Sequence, residues 1–487
     1  MKGYVLFIAG TILLLASCSG QAPKNRTELS VTIDAQNGFQ TVDGFGVNIT
    51  PAQWRDGNLK PVLDRLVDDL GCKLFRFDCT GLADWLDPAR RNRDGTYPAE
   101  YLKQVYTNKI FRDSWEAFRY LNAKGIEPIF NVSGRIPAGL GRKDDLRRLA
   151  DFDGYAEMAV TMLKWAREEE KLKFTRFMPF NETDLGYPEG PKIEPEDVLR
   201  AVRAIVKKMD RYGLSGVQLI VMDDASVRFD KVGPILKAPE FKGRIQAFGF
   251  HTYGNGDEAE TGGWFTEPSD YDRMVRTIRG SAFGDSPLWM TEYGDLDQTG
   301  LIEREFAWRS TRRLLKCLNE GFSAGIAWDA FDNFHEHDGA WAVYGLLATD
   351  TAKWTYAPKS RYFAAKQVYR YVKPGFVRAE LKAAVPDQAK KDVYAVWHDA
   401  YRHVPMVAFV SPDRKDFTIV GMSRIEGEMP VTFSLQGFNW GAVGRPVLYF
   451  RTGIGEDCKL VREIPADNTQ FEAMLKERTI FTFTTVK

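Results

Sequence analysis

Cysteine is scarce in this chain of 487 residues: five in all, with no Cys-x-x-Cys pair and no zinc-ligand spacing. That excludes a disulfide-stapled scaffold and a zinc ribbon. Cys72 and Cys79 flank one predicted strand, too far apart to bridge, and with Cys317 and Cys458 they read as packing residues. Net charge is missing as well. Lys plus Arg and Asp plus Glu both number 66, so no global field draws the chain to nucleic acid or to an anionic membrane surface. There is no internal repeat and no low-complexity linker. The apolar run 5–15 is too short to span a bilayer as a mature helix.

What is present is the composition of an ordinary folded protein, 44% hydrophobic and 27% charged, at a length that suits two domains. Aromatics reach 13%, with 12 Trp and 19 Tyr, which suits either sugar-stacking surfaces or a large core. The N-terminus reads as a sorting signal: Lys2, then the apolar run, then Leu15-Ala16-Ser17-Cys18. Those four residues resemble a bacterial lipobox, implying a signal peptide over 1–17, lipidation of Cys18 and a polar tether over 18–28. The expected location is the cell envelope of a Gram-negative bacterium, facing the periplasm or the outer surface. A plain secretory signal cut nearby is the alternative.

The middle of the chain alternates apolar strands with amphipathic helices, the pattern of a parallel α/β fold. Strands are predicted over 42–47, 74–78, 128–132, 176–180, 218–222, 247–253, 288–293 and 325–331, with helices over 115–124, 155–170, 195–212, 271–279, 304–319 and 361–371. In 195–212, Val198, Ala201, Val202, Ile205 and Val206 share one face. Eight such units predict a (β/α)8 TIM barrel over 39–372. After Gly375 short alternating runs appear at 393–397, 406–410, 417–420, 431–435, 447–450 and 479–485, which predict a β-sandwich. The strand 29–33 is expected to join it, so the second domain is 29–38 plus 373–487.

In TIM barrels the chemistry sits at the carboxyl ends of strands. Strand four ends in Phe180-Asn181-Glu182, and strand seven in Thr291-Glu292-Tyr293. Two carboxylates at such mouths are what glycoside cleavage needs: one protonates the leaving oxygen, the other attacks the anomeric carbon or activates water.

Here the chain resembles clan A glycoside hydrolases, and most of all family 30. The resemblance rests on Gly44-Phe45-Gly46, Arg76, Asn181-Glu182, His251-Thr252-Tyr253, Trp289-Met290-Thr291-Glu292-Tyr293-Gly294 and Tyr362-Phe363-Ala364-Ala365-Lys366-Gln367 with Val372-Lys373-Pro374-Gly375, in the right order. It implies a retaining glycosidase with Glu182 as acid/base and Glu292 as nucleophile, needing no cofactor and no metal. It further implies substrate contacts from Arg76, Asn181, His251, Tyr253 and Trp328, where Trp328 is either a subsite floor or a core residue. The implied substrate is a β-linked glucan, galactan or xylose-containing glycan, β-1,6-glucan among them. The rival reading is a carbohydrate-binding lipoprotein that kept the barrel and lost catalysis.

The departures are local. Thr183 stands where the family commonly has proline, and the loop Asn131-Val132-Ser133-Gly134-Arg135-Ile136-Pro137 lacks the family's Trp. Arg135 is either a contact for an acidic sugar or solvated. His335-Glu336-His337-Asp338 does not suit a metal, because histidines two apart on a strand point in opposite directions and no third ligand has obvious spacing. That loop and 254–269, with Trp264 and Phe265, are expected walls of the cleft.

Overall fold

Short strands buried on both faces, each followed by a one-sided helix, pair in parallel with helices covering the sheet, and here the sheet closes. The computed structural model describes residues 29–79, 84–186, 188–253, 269–296, 303–335, 339–384, 404–440, 445–467 and 469–487. After β1 (Leu29–Thr41) the barrel half runs β2 (Gly44–Ile49), α1 (Lys60–Asp64), β3 (Leu74–Asp78), α2 (Ala99–Tyr106), α3 (Lys109–Ala123), β4 (Ile129–Asn131), α4 (Phe152–Glu168) and β5 (Arg176–Met178). It continues with α5 (Val198–Arg211), β6 (Gln218–Asp224), α6 (Phe229–Leu236), β7 (Ile245–His251), α7 (Asp270–Arg279), β8 (Leu288–Tyr293), α8 (Glu303–Glu320) and β9 (Phe322–Ala327). Strands β2 to β9 form a closed barrel in chain order, and β2 pairs in parallel with β9.

Inside the barrel Leu74, Ile129, Met178, Ile220, Ala247, Trp289, Ala324 and Ile326 form a core of their own. Trp289 is its largest member, fully buried, with its indole N–H on Asp43 Oδ2 at 2.7 Å. Small residues make room: a Cβ on Gly46 would lie 1.6 Å from the Leu74 carbonyl oxygen. Outside, the helices bury the predicted faces, as with Val198, Ala201, Val202 and Ile205 of α5. Asn108 and Asp151 cap α3 and α4 through side-chain oxygens.

Beyond the barrel come two hairpins, β10 (Asn333–His335) with β11 (Ala340–Ala342) and β12 (Leu347–Asp350) with β13 (Thr355–Pro358), then α9 (Ser360–Tyr369). The strands β14 (Val377–Ala384), β15 (Met406–Val410), β16 (Phe417–Ser423), β17 (Glu428–Gln436), β18 (Val447–Gly453), β19 (Glu456–Ile464), β20 (Gln470–Lys476) and β21 (Thr479–Thr484) follow. With β1 they make one sheet, ordered β19-β18-β21-β16-β15-β14-β1-β17-β20. The sheet folds over on itself: Phe433 meets Phe483 at 5.0 Å, and Tyr449 of β18 donates to the Met474 carbonyl of β20 at 3.2 Å. The result is a TIM barrel with a mostly antiparallel β-sandwich. Gln367 of α9 ties the two together, donating to Thr452 Oγ1 at 2.9 Å while its carbonyl accepts from Thr482 at 2.8 Å.

One sequence expectation shifts, and elements appear that the sequence reading did not predict, β19, β20 and α6 among them. The eighth barrel strand is Phe322–Ala327, earlier than 325–331: Gly321, at φ +114°, turns α8 straight into it, and Ser323 and Ala324 are small because the barrel is crowded there. Edge strands β19 and β20 lack a clear apolar signature because charges cover their outer sides, with Phe471, Ala473 and Leu475 pointing inward on β20. Helix α6 forms in spite of Pro234. The strand expected over 393–397 and everything before Leu29 lie outside the described residues. Cys72, Cys79, Cys317 and Cys458 are buried free thiols, and no helix among the described residues is long and apolar enough to cross a membrane.

Because Trp289 is the largest side chain inside the barrel, Trp289→Ala should leave a cavity that the surrounding strands cannot fill. A loss of about 3–5 kcal/mol is expected from urea unfolding. A loss below about 1 kcal/mol would mean the barrel interior collapses around the gap.

Candidate active site

Five barrel strands, β2, β3, β6, β7 and β8, bring polar side chains to one point. Strand β3 contributes Arg76, whose side chain is 2% exposed. Its Nη1 donates to Asn48 Oδ1 at 2.6 Å and to Glu292 Oε1 at 2.7 Å; its Nη2 donates to Asn181 Oδ1 at 2.5 Å and to Asp223 Oδ2 at 2.7 Å. Asn48, on β2, anchors its own amide to the carbonyls of Thr291 and Ala327. Asp223 and Glu292 end β6 and β8. Both strands break register there, between Met222 and Asp224 and between Met290 and Tyr293. A bulge re-aims the side chains beside it, and here it brings consecutive residues to the mouth.

Glu182 follows β5 by four residues. Phe180 stacks on Tyr155 at 5.5 Å, and Tyr155 donates to the Pro179 carbonyl at 2.6 Å, which fixes the approach. Glu182 itself has φ +41°, a left-handed conformation rare for a residue with a side chain, and its N–H donates to the Asp223 carbonyl at 2.7 Å. The next residues stitch this turn to the β6 loop. Thr183 Oγ1 donates to Asp224 Oδ1 at 2.7 Å, Lys231 Nζ donates to Thr183 Oγ1 at 2.7 Å, and the Ala225 and Ser226 N–H groups donate to Asp184. A proline at 183 would lose the hydroxyl on which Asp224 and Lys231 meet.

His251, at the end of β7, lies between the acids. Its Nδ1 is 2.6 Å from Glu182 Oε1 and 3.5 Å from Glu292 Oε2, and its Nε2 is 3.2 Å from Asp223 Oδ1. Tyr253 donates to Glu292 Oε2 at 2.8 Å. A cavity of about 350 Å³ opens above, lined by Asn181, Glu182, Glu292, Tyr253, Trp328 and Tyr344 among others. Trp328 follows the end of β9 and packs at a tilt against the His335 ring, centroids 5.2 Å apart. Gly294 lets the Trp328 backbone close in, since a Cβ there would lie 2.8 Å from its carbonyl oxygen.

The charges decide the protonation. Burial opposes charge on His251, but Glu292, Glu182 and Asp223 outweigh it and push its pKa well above the usual histidine value. Burial also opposes charge on Asp223, yet Arg76 and His251 hold it well below the usual carboxylate range. Glu292 is raised, by burial first and then by Glu182 and Asp223, against the pull of His251 and Arg76. Two buried cations thus face three carboxyls, an arrangement that is neutral when one carboxyl carries a proton. Glu182, His251 and Glu292 also form the one trio among the described residues close enough to share a metal ion. Arg76 and His251 already supply the compensating charge there, and neither Glu182 nor Glu292 needs a further cation.

The structure therefore brings Arg76, Asn181, Glu182, His251, Tyr253, Glu292 and Trp328 together. His251 is fully buried, and both ring nitrogens are turned to the carboxylates, so its contacts in the cluster are with Glu182, Glu292 and Asp223. Arg76 lines the cavity, but its two terminal nitrogens are spent on protein oxygens. Asn48 and Asp223 escaped the sequence reading. The strand-end rule that found Glu182 and Glu292 would have found both, Asn48 as a lone polar residue in Val47-Asn48-Ile49 and Asp223 in Val221-Met222-Asp223-Asp224. His335 is buried in β10 beside the cleft; Glu336, His337, Asp338 and most of the loop 254–269, including Trp264 and Phe265, lie outside the described residues.

No family model matches the chain, and no curated protein matches it in sequence. Solved structures do. The GH30 endoxylanase of Clostridium papyrosolvens aligns with 94% of this chain and all of its own, at 16% identity and a TM-score of 0.65. The catalytic domain of GH30 xylanase C from Talaromyces cellulolyticus gives 94% and 100% coverage, 15% identity and 0.66. The fold is that of the family 30 glycoside hydrolases. An endo-β-1,6-glucanase shares it too, with 94% of each chain covered, 16% identity and a TM-score of 0.65.

The strap under Glu182 generates a pH test. Burial pushes the Asp224 carboxyl up to about 7, helped by Asp184 and opposed by Lys231 and Thr183. An unfolded aspartate ionises near about 4, so between about 4 and about 7 the folded chain holds a proton that the unfolded chain has lost. Stability contributed by this group falls as pH rises through that window. Asp224→Asn removes the titration and should flatten that part of the stability profile in urea unfolding. Equal slopes for variant and wild type would show Asp224 ionised throughout.

Proposed function

We propose that this protein is a retaining glycoside hydrolase of β-linked glycans, with Glu292 as nucleophile and Glu182 as acid/base. The observation that carries the reading is the spacing of the two acids. An oxygen of Glu182 and an oxygen of Glu292 lie within 4.8 Å, nearer the roughly 5–5.5 Å of retaining enzymes than the about 6.5–9.5 Å of inverting ones.

Glu292 has Arg76 and Tyr253 on its two oxygens, contacts that favour the ionised form needed for attack. Glu182 has neither contact and takes the acid/base role. In the first step Glu292 bonds to the anomeric carbon, the bond to the leaving oxygen breaks, and Glu182 gives that oxygen its proton. In the second, Glu182 takes a proton from water as the water attacks the same carbon and frees Glu292. Asn181 binds Arg76 and the Glu189 carbonyl and keeps a second amide N–H for the sugar's 2-hydroxyl. Trp328 forms the floor for the reacting ring.

For the substrate, the names of the structural neighbours favour xylan or β-1,6-glucan, and the cavity's tyrosines and Trp328 suit neutral sugar rings. The intact pair of glutamates weighs against a binding protein that lost catalysis. For location, Leu15-Ala16-Ser17-Cys18 supports a lipid anchor on Cys18 at the cell envelope.

The two glutamates should fail differently. Glu292→Ala should lower turnover of every substrate by more than about 10⁴-fold, and added azide should give glycosyl azide of inverted configuration. Glu182→Ala should cost about 10²–10⁴-fold on natural glycans while an activated aryl glycoside still forms the covalent intermediate, which azide releases with retained configuration. Inverted first product from the wild type, read by proton NMR, would refute the mechanism. A separate test addresses location: Cys18→Ser should move the protein from the membrane fraction to the soluble one, and an unmodified cysteine on wild-type protein from membranes would refute the anchor.

A further inference from the structure

Beside the catalytic cleft lies a second groove of about 370 Å³, lined by Asp84, Arg135, Pro137, Leu146, Arg147 and Gly190 among others. The partition between the two cavities is one residue thick. Gly134 and Glu189 line the cleft, and their chain neighbours Arg135 and Gly190 line the groove. The partition is stiff: the Gly134 N–H donates to the Glu189 carbonyl at 2.8 Å, and that same carbonyl holds the Asn181 side chain at 2.9 Å. Gly190 is pressed against the same residue, since a Cβ there would sit 2.0 Å from the Asn181 carbonyl oxygen. A residue of the catalytic cluster is thus braced by the strip of chain that floors the neighbouring groove.

We propose that this groove is a distal subsite for a neutral sugar unit of the same glycan chain whose scissile bond lies in the cleft. The charge argument selects neutral sugars. Arg135 pairs with Asp84 at 2.6 Å and Arg147 with Asp145 at 2.9 Å, so both guanidinium charges are met by carboxylates. No net positive field remains to favour a uronate or a phosphate. Guanidinium and carboxylate edges side by side offer donors and acceptors together, which suits vicinal hydroxyls that both give and accept. Leu146 is 54% exposed at the groove wall, and with the exposed Ala138 it supplies an apolar surface for the C–H face of a ring. The inference rests on the hydrolase reading above and adds that chain length governs the rate.

The test is a series of β-1,6-gluco-oligosaccharides and, in parallel, xylo-oligosaccharides, from the dimer upward, with an aryl β-glycoside as the short reference. For the series the enzyme cleaves, wild-type kcat/KM should climb with length until the groove is filled. Arg135→Ala and Leu146→Ala, both at exposed side chains, should erase about tenfold of that gain, a change of about 1.4 kcal/mol. Turnover of the aryl glycoside and the melting temperature should stay within error of wild type. Wild-type rates independent of length, variants that lose short and long substrates equally, or a preference for uronate-bearing oligomers that Arg135→Ala abolishes would each overturn the subsite. Failure of the wild type to cleave any oligomer or aryl glycoside would remove the hydrolase reading, and the subsite with it.

Discussion

The guanidinium of Arg76 is the interaction on which the site depends. It sits 2% exposed beneath the barrel mouth and gives hydrogen bonds to side chains from β2, the β5 turn, β6 and β8. A buried cation of this kind is tolerable only when carboxylates meet its charge, and removing one partner of such a pair costs about 3–5 kcal/mol because the other charge is left bare. The geometry of every neighbour follows. Asn48 and Asn181 are held by their oxygens, Asp223 is kept ionised, and one oxygen of Glu292 is fixed while Tyr253 takes the other. His251 then closes the ring between the three acids.

The two glutamates were legible in the sequence because barrel topology limits where chemistry can stand. An acid at the carboxyl end of a buried strand has no solvent to face and needs a reason to be there. Arg76 was visible only through the family resemblance, because an arginine within Leu74-Phe75-Arg76-Phe77 carries no local sign of which acids it will meet. Asn48 and Asp223 were missed because neither is a catalytic residue type in a known motif; the strand-end rule reaches both, but nothing local shows that each will meet Arg76. His251 was seen as a strand-mouth residue, but nothing beside it in sequence showed that its two ring nitrogens would meet three carboxylates.

The fold divides along the same line. Barrel strands announced themselves by their apolar runs, and β19 and β20 did not, because an edge strand shows its charges to water on one side and on its unpaired border. Thr183 is instructive in a different way. As a departure from proline it looked neutral, since it removes no catalytic group. In the folded chain its hydroxyl is where Lys231 and Asp224 meet, and the strained turn at Glu182 is held by that knot and by Asp184.

Strand β1 pairs antiparallel with β14 and in parallel with β17, so residues near 30 lie beside residues near 380 and near 430. During synthesis the whole barrel emerges before either partner exists. Leu29, Val31 and Ile33, buried in the finished sandwich, must wait in the open through that interval, and the last domain to appear is the one that captures the first strand made. The barrel is in effect an insertion within the sandwich. The two halves are therefore threaded rather than strung in series, and trimming the chain from either end removes strands from the same sheet.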